Sequence, residues 1–483
     1  MQKHLHKSKT INPNRLHLAT SACLILLTAS CARSPKPQID QLPIVVPDTF
    51  SGNTGTAAET DSEFGWLADF QDPRLIQLVK DVHEANYDLQ SASARLEAVT
   101  ANQRITRAAR LPTLSGGFSG SRQKNNFQNL AGSIGTRIFN NYNLNARVAW
   151  EADLWGKVKN RTQAAIADVE AEQANFRAIQ FSLSATTLRA WFDTVEAELQ
   201  LRLAQKTLDV FQQNLAVVET SFERGLPNRA LDVRLTRANV ENARSTLALR
   251  KRFRDSAGRS LETLLGKYPS NQLTIATNLP TLIEAIPPGL PSELLHRRPD
   301  LISAERQLAA SLERVKVAKK DLLPSISLSS SSGTSSGELR DVLDPDLLIW
   351  NLAGNLTQPI FQGGRLLASI AVAKANSQAA MANYAQTALN AFQEVETLLA
   401  SERFLKEELD ATEQAATESV AAEELAWQQY QRGLVDIITV LESQRRAFTA
   451  QSSLLSAVNN RLANRINLYL ALGGAFNSES DSE

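Results

Sequence analysis

Cysteine is nearly missing from these 483 residues: there are two, Cys23 and Cys31, both in the first 31 positions. That excludes a disulfide framework and leaves no thiols for a zinc site. Only His83 and His296 lie beyond residue 30, so a histidine metal cluster is excluded as well. Net charge is lacking too, with 51 basic residues against 51 acidic ones, and no long basic stripe marks a nucleic-acid partner. Neither a Walker loop nor a dinucleotide fingerprint occurs, and no nucleophile–base constellation is found. The composition points away from an enzyme and implies no cofactor. What remains is a chain long enough for a large core and two or three domains.

The first thirty residues read as an address. Lys3, Lys7, Lys9 and Arg15 form a basic start without an acid, and residues 16–30 then run apolar and small. That run is too short to span a bilayer and suits a signal peptide over 1–30. It ends Leu-Thr-Ala-Ser immediately before Cys31, which resembles a bacterial lipobox in which the Cys thiol receives lipid. Thr28 stands where the usual Leu would be, and Cys23 is a competitor, though most of the apolar run would then follow the cut. Removal of 1–30 leaves 47 basic and 51 acidic residues, a net charge of −4. Residues 31–62, with Pro35, Pro37, Pro43 and Pro47, read as a lipidated, extended tether.

An internal duplication organises the rest. Asn86-Tyr87-Asp88-Leu89 is echoed by Arg298-Pro299-Asp300-Leu301, Leu111-Pro112 by Leu323-Pro324, and Arg224-Gly225-Leu226 by Arg432-Gly433-Leu434. Leu264-Leu265-Gly266 returns as Ala471-Leu472-Gly473, and the shift stays between 207 and 212 throughout. These echoes divide the chain into repeats over 63–270 and 271–475 with a polar tail over 476–483. Between Gly156 and Gly225, and again between Gly364 and Gly433, lie 68 residues without Gly or Pro. Both stretches are rich in strong helix formers, and each would run roughly 100 Å as one helix. Leu188, Trp191, Phe192, Val195 and Leu199 recur at the spacing of one helical face. Each run meets a turn at Gly225 or Gly433, where glycine can take the left-handed conformation that ends a helix. The pattern predicts two long antiparallel helical hairpins, with shorter helices over 73–110 and 291–321. A soluble coiled-coil rod fits the helical pattern equally well.

The strands argue against a rod. Residues 144–154 alternate, with Leu144, Ala146, Val148, Trp150, Ala152 and Leu154 on one face. Residues 348–358 do likewise, and shorter partners precede them at Thr113–Ser119 and Ser325–Ser331, giving hairpins over 113–154 and 325–358. Alternation over about ten residues is the length of a tilted transmembrane strand. Phe139, Tyr142, Trp155, Trp350 and Phe361 sit near strand ends, where rings favour a membrane interface. A half-buried strand in a soluble sheet has the same pattern; two hairpins at equivalent positions of an exported chain favour the membrane. Four strands cannot close a barrel, and lipid tolerates no open edge. Identical subunits must therefore pool their strands in a ring. Two copies give eight strands around a filled interior, whereas three give twelve and a lumen.

Together, Arg297-Arg298-Pro299-Asp300-Leu301 with Ala304-Glu305-Arg306, the block Gln358-Pro359-Ile360-Phe361-Gln362-Gly363-Gly364-Arg365, and Ala471-Leu472-Gly473-Gly474 resemble the outer-membrane efflux proteins of the TolC superfamily, on the drug-efflux lipoprotein branch. The resemblance runs over roughly residues 60–475. It implies a mainly α protein with a membrane β-barrel portion: a homotrimer, a shared twelve-stranded barrel in the outer membrane lipid of a Gram-negative bacterium, and a trimeric α-barrel in the periplasm. It further implies docking to a periplasmic adaptor and an inner-membrane pump. The channel would be a passive conduit exporting drugs or other small toxic compounds.

The resemblance also carries a periplasmic gate onto the helical turns. In the family the second-repeat turn holds acids facing the pore. Position 442, usually Asp, is Glu442 here; position 439, Asp in one branch, is Thr439. Three such carboxylates near a three-fold axis would favour cations. Arg445 matches the family's basic partner, within reach of Glu442 by an i,i+3 contact. Tyr430 and Asp232 match a pair that ties the second hairpin to the first. The Arg of another family link corresponds to Val435, so that salt bridge is lost. Each residue also has a plainer reading: Glu442–Arg445 as a solvated surface pair, Asp232 as a helix-dipole charge, Tyr430 as helix packing. Two further functions compete with the duct. A periplasmic adaptor also carries a helical hairpin, though one only and between β-rich domains, and within the family a channel for type I protein secretion is the other.

Overall fold

The computed structural model describes residues 33–44, 46, 47, 49, 50, 65–128, 134–224, 229–282 and 291–473. Helices α1 (Arg74–Ala85) and α2 (Tyr87–Ala108) lead into strands β1 (Thr113–Gln128) and β2 (Ile134–Ala152), then the long helix α3 (Lys157–Glu223) and its return α4 (Arg229–Leu264). The second copy follows as α5 (Pro291–Arg297), α6 (Pro299–Lys320), β3 (Ser325–Ser336), β4 (Leu348–Thr357), α7 (Arg365–Gln431) and α8 (Ile437–Ala471). Helices α3 and α7 are both 67 residues long, and α2 and α6 both 22, so the duplication is kept residue for residue in these elements.

Several boundaries differ from the sequence reading, among them β2, which begins at Ile134 rather than 144. The helices expected over 73–110 and 291–321 are each two helices. Asn86 stops the first, its side-chain oxygen accepting from the N–H groups of Asp88 (2.9 Å) and Leu89 (3.2 Å) as an N-cap for α2. Arg298 stops the second because it precedes Pro299, whose ring disfavours the helical conformation before it. The leading strands run past Ser119 and Ser331 to Gln128 and Ser336. Their added residues are, apart from Phe127, polar or glycine on both faces, so alternation could not mark them; backbone pairing with Ile134–Asn143 carries β1 onward.

One compact unit takes in the residues up to Asp40, Glu97–Ala171 and Glu305–Ala382. Its centre is a four-stranded antiparallel sheet in the order β1-β2-β3-β4, so the hairpins of the two repeats are joined through β2 and β3. The register pairs Phe118 with Leu144, Trp150 with Leu328 and Ile326 with Leu356, which sets all even-numbered strand residues on one face. That face is apolar and bare: Leu114, Trp350, Leu352 and Leu356 are each at least 70% exposed. The other face carries Asn143, Asn145, Arg147, Ser331 and Asn351 around a shallow hollow. Gly120 permits a close approach, because a Cβ there would sit 3.0 Å from the ring of its cross-strand partner Tyr142. In the same unit the N-terminal segment is fastened to the helices. Ser34 Oγ donates to Glu170 (2.9 Å), Arg306 donates to Pro35 O (3.0 Å), and the Gln38 N–H donates to Glu305.

The other unit comprises Gln41–Leu96, Glu172–Ala304 and Asn383–Glu483. Its larger core packs Phe70, Leu75, Leu188, Phe192, Leu261 and Ile466, all at most 2% exposed. Arg298 locks the second repeat's opening motif into this unit. It bonds Asp300 and Glu394, both at 2.8 Å, and the carbonyl of Ala471 at 3.0 Å. Glu402 is held likewise by Arg465 and Asn464; burial pushes its carboxyl up, but these hydrogen bonds, with Arg461 nearby, bring it below the usual range.

Candidate functional site

The turn of the second hairpin is built locally. Helix α7 ends at Gln431, and Gly433 takes φ +74°. The Gly433 N–H donates to Tyr430 O and the Leu434 N–H to Gln429 O, each at 2.9 Å, which satisfies two carbonyls at the helix end. Asp436 then caps α8: its carboxylate accepts from the Thr439 N–H (2.8 Å) and hydroxyl (2.7 Å). Those two contacts hold the Asp436 carboxyl below its ordinary range. Beneath the turn, Val218 of α3, Val233 of α4, Tyr430 of α7 and Val440 of α8 form one small apolar core. All four long helices therefore meet at the hairpin ends.

On that core sit the residues singled out from the sequence. Tyr430 is 5% exposed, stacks on Trp427, and donates its hydroxyl to Asp232 at 3.0 Å, so α7 is tied to the first turn of α4. Glu442 bonds Arg445 at 2.7 and 2.9 Å and also Arg446 at 2.8 Å. These hydrogen bonds, Arg445 first and Arg446 second, pull the Glu442 carboxyl down to about 2. Thr439 serves as the cap partner of Asp436. Cys31 and Gly225 lie outside the described residues.

Sequence reasoning missed Asp436 and Arg446. The signals were present: Asp436 precedes Thr439 by three residues, the spacing of a cap, and Arg446 follows Glu442 by four. A hollow beside α7 and α8 is lined by Glu418, Asp436, Thr439, Glu442, Ser443 and Arg446. With Arg445, this group holds three acids and two bases. The arrangement can attract or turn away ions; among the described residues no three His, Cys, Asp or Glu side chains converge as a metal site.

A sheet with one bare apolar face and two open edges, in a chain that also holds paired helical hairpins, defines the subunit of a membrane channel. The sequence profile of the outer membrane efflux protein family matches residues 78–267 and 290–474, and the chain belongs to that family. It is an outer-membrane efflux channel protein. The cation efflux system protein CusC of Escherichia coli K12 is 31% identical over 458 residues, covering 94% of this chain and 98% of that protein. The toluene efflux pump outer membrane protein TtgI of Pseudomonas putida is 32% identical over 411 residues, covering 84% and 86%. Among solved structures, the open state of the Neisseria gonorrhoeae MtrE outer membrane channel superposes with a TM-score of 0.78 at 29% identity, covering 92% of this chain and 98% of that one.

Proposed function

We propose that three copies of this chain pool their strands into one twelve-stranded barrel and their long helices into a periplasmic α-barrel, forming a passive duct. The duct carries small toxic compounds outward, with a periplasmic adaptor at the helical turns Gly225 and Gly433 and an inner-membrane pump supplying the energy. Cys31 carries the lipid anchor. One observation supports this reading above the rest: β1 and β4 are unpaired edges of a sheet whose even-numbered face is apolar and bare. Such edges are intolerable in lipid unless neighbouring copies pair them.

At the turns, Glu442, Thr439, Arg445, Tyr430 and Asp232 make the periplasmic gate. The Tyr430–Asp232 bond holds the two hairpins together in the closed state, and the acids of the turn set the ionic preference of the constriction. The cargo is drugs or other small toxic compounds, with the choice among them made upstream by the pump. The experiment is direct. Full-length protein extracted in detergent should have the mass of a trimer and should open ion-conducting channels in planar bilayers. A mature, unlipidated chain that stays monomeric and soluble without detergent would sink the duct.

A further inference from the structure

The β1–β2 hairpin, short of Glu151 at the end of β2, has a one-sided charge that the channel reading does not use. From Thr113 to Trp150 the sequence holds Arg122, Lys124, Arg137 and Arg147 and not one acid. The register separates these cations by face. Arg122 pairs with Asn140 and Lys124 with Ile138, so both share the even-numbered face with Leu114, Phe118 and Leu144; Arg137 and Arg147 lie on the opposite, polar face. Along β1, that even-numbered face reads Leu114, Gly116, Phe118, then Gly120 beneath the Tyr142 ring, then Arg122 and Lys124. Apolar residues give way to an aromatic ring and the ring to cations.

Heights along the strand follow from the geometry. Leu144 to Ala152 on β2 spans eight residues, about 20 Å of bilayer for a strand tilted near 40°. Arg122 is four residues beyond Phe118, about 10 Å further out. Tyrosine rings collect at the boundary between hydrocarbon and headgroups. The two cations therefore stand at headgroup level on the lipid side. Both are exposed, and neither makes an ion pair among the described residues. Acids do occur in the β3–β4 turn, but Arg340 bonds Glu338 (2.8 Å) and Asp341 (3.5 Å), and Asp344 caps the Asp346 N–H. Within one chain β2 also separates that turn from β1.

We infer that Arg122 and Lys124 form a docking surface for the phosphate groups of the outer-leaflet glycolipid. Phosphate oxygens accept strong charge-assisted bonds from guanidinium and ammonium groups. The inference rests on the membrane placement of the even-numbered face, which channel conductance of the same preparation tests separately.

The test titrates the purified full-length protein with bisphosphorylated lipid A and with its dephosphorylated form, reading bound lipid by native mass spectrometry. The phosphorylated lipid should bind more tightly, and R122S/K124S should weaken it about thirtyfold, at the worth of one surface cation each. R137S, on the other face, should leave binding unchanged. Inorganic phosphate should not compete. Equal binding of the two lipids, an unchanged double variant, an equal loss in R137S, or full competition by inorganic phosphate would each overturn the inference. So would a double variant that binds lipid A normally but dissociates more readily into monomers, which would assign the two cations to Asp344 and Asp346 of a neighbouring copy. Should the double variant not assemble, the comparison of the two lipids on the unaltered protein still decides.

Discussion

Glu442 shows how a single side chain can be found in the sequence and yet be misjudged in its electrostatics. Its spacing to Arg445 and to Arg446 was legible as i,i+3 and i,i+4, but spacing alone does not reveal that both guanidiniums close on the one carboxylate at once. The folded carboxyl is depressed to about 2 from an unperturbed 4.5. A depressed carboxyl stabilises the fold fully above its unfolded value and loses that contribution as pH falls through the folded one. The contact should thus persist at pH 5 and fade between 4.5 and about 2. Ion selectivity in planar bilayers should accordingly be flat from neutral pH down to 5. Replacing Glu442 with Ala should weaken cation preference, because two unbalanced guanidiniums then remain, while Arg446→Ala should strengthen it. Unchanged selectivity in both removes the group from the pore. Tyr430→Phe deletes one bond to Asp232, worth about 1.5–3 kcal/mol for a charged acceptor, and should raise the fraction of time single channels spend open.

Strands and helices differ in how much of themselves they declare. Alternation exposed the lipid-facing segments of all four strands, because burial in hydrocarbon forces every second residue to be apolar. It was silent beyond Ser119, where both faces of β1 are wet and only backbone pairing continues the strand. Helix length was legible from missing Gly and Pro, whereas the breaks at Asn86 and Arg298 depend on a cap and on one ring's sterics. The face assignment makes a sharp comparison possible. Leu352→Arg places a charge on the apolar face and should cost about 2–4 kcal/mol of insertion at mid-bilayer. Asn351→Arg, one residue away on the polar face, should insert as the unaltered protein does. Refolding yield into lipid vesicles, read by heat-modifiable migration on gels, separates the two.

For the molecule as a whole, repetition in the sequence announced the architecture, but not how the chain's beginning is held. Cys31→Ser should abolish labelling by radioactive palmitate, and persistent label would direct attention to Cys23. Three residues further on, Ser34 is already bonded to Glu170, and Arg306 grips Pro35. Glu305 and Arg306 thus fasten the segment Ser34–Gln38, a role that no spacing rule suggests because their partners lie more than 100 residues away. Arg306→Ala should leave channel assembly intact and make the segment around Ser34 cleavable by trypsin after Arg33, as mass spectrometry of the fragments would report.

The matched 67-residue helices have a consequence for descent. Strand pairing between β2 and β3 joins the two repeats within one unit, and the Val218–Val233–Tyr430–Val440 packing joins them within the other. A heptad lost from α3 alone would withdraw its tip by about 10 Å and break one of these two anchorages. A seven-residue deletion in α3 should therefore be tolerated far better when α7 is shortened by the same seven residues than when it is made alone.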